Sequence, residues 1–340
     1  MRCLSFCSSR CSPAVPAEAV PAVIPAEGAL LDRVLSATYP IWHGGLSRQA
    51  YGRFHAAQMK TAWGRRSQRQ FALMDGAELL ASAAQYDLSG VFDGRAVRVC
   101  GIGSVFTESE HRREGHTRVL IETILEQAAR DGAATALLFS HIEGELPPLD
   151  GFEVIPVMDV VLGVAETPRP GAPMTLVRNG EERDLAAVVA MGRVRADRFR
   201  FHLDRDADLV QHAITRKRLL AGLGSPDARQ LHFFIAEEGI TAAAYVVVSI
   251  AGRAWTLEEC GDRDPSGARV GALLQALIAR EPVERRPAIR TWLPPRFVPP
   301  QVTVASTRPS SIVMKIRSLS STAVPRLGGN DVLYWRNDIF

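Results

Sequence analysis

The sequence predicts a mixed α/β fold, helices packed on mixed sheets, built twice in tandem. Three observations predict it. A strand, a short turn, a helix and a second strand follow one another between residues 97 and 140. Asp75-Gly76 and Asp93-Gly94 place tight turns between apolar runs just ahead of that unit. After a proline-rich stretch at residues 167–173, the same outline returns.

Residues 1–28 carry Pro-Ala-Val and Pro-Ala-Glu triplets from Pro13, Pro16, Pro21 and Pro25, which predict a flexible tail or an over-extended start. They have no charged start followed by the apolar core of a secretory signal. Residues 29–166 form the first expected domain. Leu31, Val34 and Leu35, then Tyr51, Phe54, His55, Gln58 and Met59, have helical spacing with a break at Pro40 and Gly44-Gly45, so two helices are expected. Strands follow at 70–74 and 79–86. From Val97 to Thr107 small and apolar residues alternate, which would set Val97, Val99, Gly101, Gly103, Val105 and Thr107 on one face. Two glycines there leave backbone open to a close visitor. Leu120, Ile121, Ile124, Leu125 and Ala128 then line one side of a helix. Strand and helix meet at Arg112 to Thr117. The first N–H groups of a helix lack partners within it and sit at its positive end, so an anion is well received. Gly115 lets the backbone approach that anion, and Arg112 and Arg113 add charge that suits a pyrophosphate.

The second expected domain spans 174–340, after the linker at 167–173. It carries helices at 181–191, 207–223 and 267–280, and strands at 232–237, 241–249 and 253–260. Strands near 311–316 and 331–335 would close it. The turn equivalent to the anion site reads Asp262-Arg263-Asp264-Pro265-Ser266-Gly267. Two carboxylates there oppose a pyrophosphate, so no cofactor is expected in this half.

With 340 residues, 46% of them apolar, the chain can build two cores. A net charge of only +3 calls for no nucleic-acid or membrane partner, and no run of about 18 apolar residues exists to span a bilayer. Cys100 and Cys260 fall in expected strands as buried, inert thiols, which fits a reducing cytoplasm. Cys3, Cys7 and Cys11 have no histidine among them, so no metal is expected.

Arg112-Arg113-Glu114-Gly115-His116-Thr117 resembles the Arg/Gln-x-x-Gly-x-Gly/Ala signature of the GNAT superfamily of acyl-CoA N-acyltransferases, with Thr117 where Gly or Ala is usual. The preceding strand, the helix, the strand at 134–140 and the Gly151-Phe152 pair come in that family's order. The resemblance implies two tandem GNAT-like domains, the second degenerate, as in acetyltransferases of the mycothiol synthase and aminoglycoside-acetylating kinds. It implies acetyl-CoA as co-substrate, its pantetheine arm lying between strands that splay near Thr107 and Ser140. Backbone contacts would come from Val105, Phe106 and Thr107, and pyrophosphate contacts from Arg112, Arg113, Glu114, Gly115, His116 and Thr117. It further implies direct attack of a small-molecule or peptide amine on the thioester, with the carbonyl polarised by the Val105 N–H.

The leaving thiolate in this family is commonly protonated by a tyrosine four residues before the Gly-Phe pair; here that position is Pro147. Three readings follow: another group such as Ser140, His141 or Glu143 supplies the proton, water does, or the domain binds acyl-CoA without efficient turnover. The last would make the protein a binding or sensing module. His141 and Glu143 also read as solvated loop residues. The segment 334–340 reads as a last strand closing the second domain, or as a terminal carboxylate entering the active site. Tyr51, His55 and Met59 read as core, while Trp42-His43-Gly44, in a loop, is the better candidate for touching the acceptor.

Overall fold

The computed structural model describes residues 20–141, 151–165, 176–292, 297–320 and 326–338. The first half runs β1 (Ala22–Pro25), α1 (Gly28–Trp42), α2 (Arg48–Met59), α3 (Ala62–Ser67), β2 (Gln68–Asp75), β3 (Glu78–Phe92), β4 (Arg95–Thr107), α4 (His116–Arg130), β5 (Thr135–His141), β6 (Glu153–Ile155) and β7 (Met158–Val164). The second runs β8 (Leu176–Asn179), α5 (Leu185–Ala196), β9 (Phe201–Leu203), α6 (Ala207–Leu223), β10 (Gln230–Glu238), β11 (Thr241–Ala251), β12 (Ala254–Asp262), α7 (Ala268–Ile278), β13 (Ile289–Thr291), β14 (Val302–Pro309), β15 (Ile312–Ser318) and β16 (Val332–Leu333). Among the described residues, no helix is long and apolar enough to cross a membrane.

The strands form two sheets that exchange members. The first has the order β1-β2-β3-β4-β5-β15-β6, with β9 and β16 appended beside β3; the second has the order β14-β7-β13-β12-β11-β10-β8. β15 lies antiparallel between β5 and β6, and β7 lies antiparallel between β13 and β14. The expected linker at 167–173 lies outside the described residues, and each sheet takes strands from both sides of it. The strands expected at 311–316 and 331–335 to close the second half instead complete the first, β16 through β9. Local alternation shows that a segment is a strand but not which sheet will take it.

Four further expectations change. Residues 22–25, read as tail, form an edge strand in register with β2 from Ala22↔Met74 to Pro25↔Phe71. Prolines are tolerated there because an edge strand needs few ladder donors. Pro40 does not break its helix but falls in the last turn of α1. Ser36 is four residues earlier, so its carbonyl loses the helical donor and accepts instead from the Arg48 guanidinium at 3.4 Å. A third short helix, α3, follows the expected two; its Thr61 cap accepts from Gly64 N at 2.9 Å. The fourth change is a bulge in β4, treated below with the site.

α4 buries Leu120, Ile121, Ile124, Leu125 and Ala128 against Cys100, Ile102, Leu138 and the small residues of β3. This is the face its spacing predicts. The opposite face of the same sheet is sealed by Trp63, Leu209, Trp292, Leu327 and Val332, most of them from the second half. The second sheet is sandwiched between α7 on one face and α5 and α6 on the other. Its last described turn is fixed by a buried network: Arg205 is bidentate to Glu259 at 2.8 and 2.8 Å, Tyr245 donates to Glu259 at 2.6 Å, and Asn337 donates at 3.1 Å. Burial raises the Asp338 carboxyl to about 6. Ile339 and Phe340 lie outside the described residues, as do Cys3, Cys7 and Cys11. Cys100 and Cys260 are buried, with thiols pushed up by desolvation to about 12 and about 11, so neither is a thiolate at neutral pH.

Candidate active site

The site begins where β4 leaves β5. Their parallel ladder runs from Val99↔Thr135 to Ile102↔Leu138 and stops. Beyond it β5 stays paired with β15 through Ser140↔Val313 and His141↔Ile312, while β4 stays paired with β3 through Phe106↔Ser82 and Thr107↔Ala81. Each strand is held by its outer neighbour, so backbone groups they would have exchanged face an open wedge. A bulge helps open it. The β3 register shifts between Ser82 and Ala84, and Ser104 takes φ +48. One extra residue reverses the alternation: Val97 and Val99 pack on the Trp63 side, whereas Val105 packs on the α4 side with Cys100 and Ile102. The single face expected from Val97 to Thr107 therefore ends at Gly103. Ser140, on the other lip, is buried and its Oγ has no hydrogen-bond partner among the described residues.

The wedge continues into a cavity of about 1090 Å³. One end is the loop into α4. Arg113 at φ +71 and Gly115 at φ +87 are both left-handed, and such turns expose main-chain N–H groups to anions. Val119 N bonds Gly115 O at 3.1 Å, and the N–H groups of His116 and Thr117 precede the first bond of the helix. A Cβ added to Gly115 meets nothing within 4 Å, so the space beside this terminus is open. Thr107 Oγ1 bonds Thr117 Oγ1 at 2.5 Å and ties strand end to helix start.

Of the expected site residues, Trp42, Val105, Phe106, Thr107, Arg112, Arg113, Gly115, His116, Thr117 and Ser140 line this one cavity. Glu114 and His43 do not. Glu114 turns away to the His111 and His116 rings, at 3.3 and 3.0 Å, and these two hold its carboxyl below the usual range, His116 first. His43 follows the last turn of α1, where its Nδ1 accepts from Gly45 N at 3.0 Å. His141 ends β5, and its side chain is not among those described; Glu143 and Pro147 lie outside the described residues. His111, Glu114 and His116 present ligand atoms within 4.8 Å of one another, a set able to take a divalent ion. Glu78 already bonds the other His111 nitrogen at 3.0 Å and raises that imidazole's pKa.

The far end of the cavity holds groups that the sequence reading left to packing or did not name. Tyr51, His55 and Gln58 reach it from α2, Gln68 from β2, Tyr86 from β3, and Arg216 and Leu220 from α6 of the second half. α6 is docked there by Thr61 Oγ1 on His212 Nδ1 at 2.8 Å and by Arg66 with Asp206 and Asp208 at 3.1 and 3.0 Å. Tyr86 is buried and bonds Ser104 at the bulge; desolvation raises its hydroxyl, which stays protonated. His55 is lowered to about 4, by burial first and Arg216 second, so it is a neutral imidazole at pH 7.

Comparison with known proteins agrees with this geometry. Residues 45–149 match the family model described as an acetyltransferase (GNAT) domain. No curated protein matches the sequence. In fold, the chain is similar to a GCN5-related N-acetyltransferase from Kribbella flavida (16% identity, TM-score 0.61, covering 88% of this chain and 72% of that one). It is also similar to one from Anabaena variabilis (11% identity, TM-score 0.63, 88% and 73%). A third similar structure is Saccharomyces cerevisiae N-myristoyltransferase with bound myristoyl-CoA (11% identity, TM-score 0.51, 89% and 84%). The matched segment carries both the splayed strands and the open helix terminus, so residues 45–149 form a GNAT acetyltransferase domain, and the chain as a whole has the two-domain fold of GCN5-related N-acetyltransferases.

Proposed function

We propose that the protein is an N-acetyltransferase that moves an acetyl group from acetyl-CoA to a primary amine by direct attack in a ternary complex. The carrying observation is that the β4–β5 wedge and the first turn of α4 open into one cavity. Backbone groups of Gly103 to Thr107 are disposed to bond an extended pantetheine arm as an added strand. The N–H groups of His116 and Thr117, with Arg112 and Arg113, suit the pyrophosphate. The Val105 N–H is the expected donor to the thioester oxygen, where negative charge grows as the amine nitrogen bonds to carbon and the C–S bond breaks. Tyr86, held protonated beside the bulge, is the described phenol best placed to protonate the departing thiolate, and neutral His55 can accept the proton that the amine sheds. Ser140 stays a candidate from the opposite lip, and His141 and Glu143 stay candidates from the sequence. Two buried, unactivated thiols suit a reducing cytoplasm.

Isothermal titration of acetyl-CoA, beside thiol release in the presence of an amine panel, tests this. The expected result is one site per chain, abolished in the Arg112→Glu/Arg113→Glu variant, with thiol released only when an amine is present. Binding without release from any amine supports the binding-module reading instead, and absence of binding overturns both.

A further inference from the structure

The loop from β4 into α4 folds back on itself. His111 ends the short turn Ser109–His111, His116 opens α4, and Glu114 lies between them. Two left-handed residues, Arg113 at φ +71 and Gly115 at φ +87, flank Glu114 and turn the chain so that the three side chains meet. Glu114 Oε2 stands 3.3 Å from His111 Nδ1 and 3.0 Å from His116 Nε2, and the three ligand atoms all lie within 4.8 Å of one another. Two atoms bound to a tetrahedral zinc ion at ordinary bond lengths are about 3.3 Å apart. Both contacts of Glu114 have that spacing to within a few tenths of an ångström.

A second observation comes from β3. Glu78, its first residue, sets Oε1 3.0 Å from His111 Nε2. Both nitrogens of one imidazole therefore face carboxylate oxygens, and a neutral imidazole has only one N–H to give. With that N–H directed at Glu78, the Nδ1 lone pair points at Glu114 Oε2, a pairing that needs a positive charge between them. A proton would serve Nδ1 alone, whereas one divalent ion serves Nδ1, Oε2 and Nε2 together. A carboxylate on the far nitrogen of a ligating histidine fixes its tautomer and raises its basicity, which is the part Glu78 takes.

Two imidazoles and a carboxylate suit Zn²⁺ and its first-row neighbours better than Mg²⁺ or Ca²⁺, which favour oxygen. The rings of His111 and His116 are mostly covered, with side chains 22% and 17% exposed, while Glu78 and Glu114 are more than half open, so an ion enters from solvent. Both rings also line the cavity. We propose that His111 Nδ1, Glu114 Oε2 and His116 Nε2 form a site for a divalent ion of the zinc class beside the α4 end of the cavity, with Glu78 positioning His111. Three protein ligands leave a further position for water or an anion. The site stands apart from the acyl-transfer reading, since it needs neither acetyl-CoA nor an amine.

Titration of Co²⁺ into the chelator-treated full chain, followed by displacement with Zn²⁺, tests this. The expected result is one site per chain with the visible spectrum of Co²⁺ bound by nitrogen and oxygen, free of the thiolate absorption that Cys3, Cys7 and Cys11 would give. Glu114→Gln and His116→Ala should each weaken Zn²⁺ binding roughly a hundredfold, and Glu78→Gln about tenfold. In the wild type, Zn²⁺ should move the imidazole NMR signals of His111 and His116 and spare the histidines of the second half. Absence of binding, binding only with thiolate absorption, or an affinity indifferent to Glu114→Gln overturns the proposal. If His116→Ala does not fold, the exposed Glu114→Gln and the wild-type imidazole signals decide.

Discussion

The N-termini of α4 and α7 hold equivalent places in the two halves, and the same backbone is put to opposite ends. Thr107 and Asp262 each close the strand before the helix, and the next N–H bonds back to the neighbouring strand in both: Glu108 N to Leu80 O at 3.0 Å, Arg263 N to Ala243 O at 2.9 Å. Each helix is preceded by a left-handed glycine, Gly115 or Gly267. In the second half, Asp262 Oδ2 accepts from the N–H groups of Arg269 and Val270 at 2.9 and 3.2 Å, while Oδ1 accepts from Asp264 N at 2.8 Å. The anion there is the protein's own carboxylate. Phe297 and Gln301 close the space, since a Cβ on Gly267 would stand 2.5 Å from the phenyl ring and one on Gly271 1.9 Å from Gln301 Oε1. In the first half the equivalent position is a threonine and the space is open. A helix terminus is thus a site or a joint according to the residue that ends the strand before it.

The largest test of this contrast transplants the plug. Thr107→Asp should seat a carboxylate under α4 and weaken acetyl-CoA binding at least about a hundredfold, roughly 3 kcal/mol, by isothermal titration; unchanged affinity would show the two termini are not equivalent. The reverse change, Asp262→Ala, leaves the Arg269 guanidinium, 3.2 Å from Asp262, and two helix N–H groups without their buried acceptor. It should cost about 3 kcal/mol in urea unfolding, with no gain of acetyl-CoA affinity because Phe297 and Gln301 still cover the place. Paired glycine replacements sharpen the comparison: Gly115→Ala should lose about 1 kcal/mol from its left-handed backbone alone. Gly267→Ala should lose about 2 kcal/mol more as the phenyl ring is pushed aside, and equal losses would deny the difference in crowding.

The smallest effect concerns the seam between halves. His212 is buried and lowered to about 4 from an ordinary 6.5, by desolvation first and Arg216 second. Between those values the unfolded chain binds the proton that the folded one refuses, so stability is full above pH 6.5 and falls as pH drops toward 4. The loss at pH 5.5 should be about 1 kcal/mol, and His212→Gln, which keeps a polar partner for Thr61, should flatten that slope in urea titrations. A slope unchanged by the substitution assigns the acid sensitivity elsewhere.

Much of the wedge and of the loop into α4 was legible because its signals are local. The α4 core face follows from five apolar residues at helical spacing, and the candidate anion site from arginines and a glycine packed into six positions. The β4 bulge had no such signal: its left-handed residue is Ser104, not a glycine, so alternation was carried two residues too far. The acceptor side is not local at all. Arg216 lies on α6 within Arg216-Lys217-Arg218, and only its apolar neighbours Ala213 and Ile214, which pack inward, hinted that this cation was not simply solvated. Gln68 and Tyr86 read as ordinary strand residues until their register put them side by side in the same cavity as that arginine. Asp262, by contrast, was legible as an obstacle to phosphate, although its companion Asp264 serves the loop itself, accepting from Ser266 N at 2.9 Å.

The exchange of strands ties the timing of the two halves together. β5 emerges from the ribosome with one edge bare, and the strand that covers it, β15, follows only after nearly all of the second half has been made. At ordinary synthesis rates that is a wait on the order of ten seconds, during which an apolar edge beside the wedge is open to other chains. A fragment ending at residue 166 keeps that edge bare permanently, so expression of the first half alone should yield aggregate rather than a smaller enzyme.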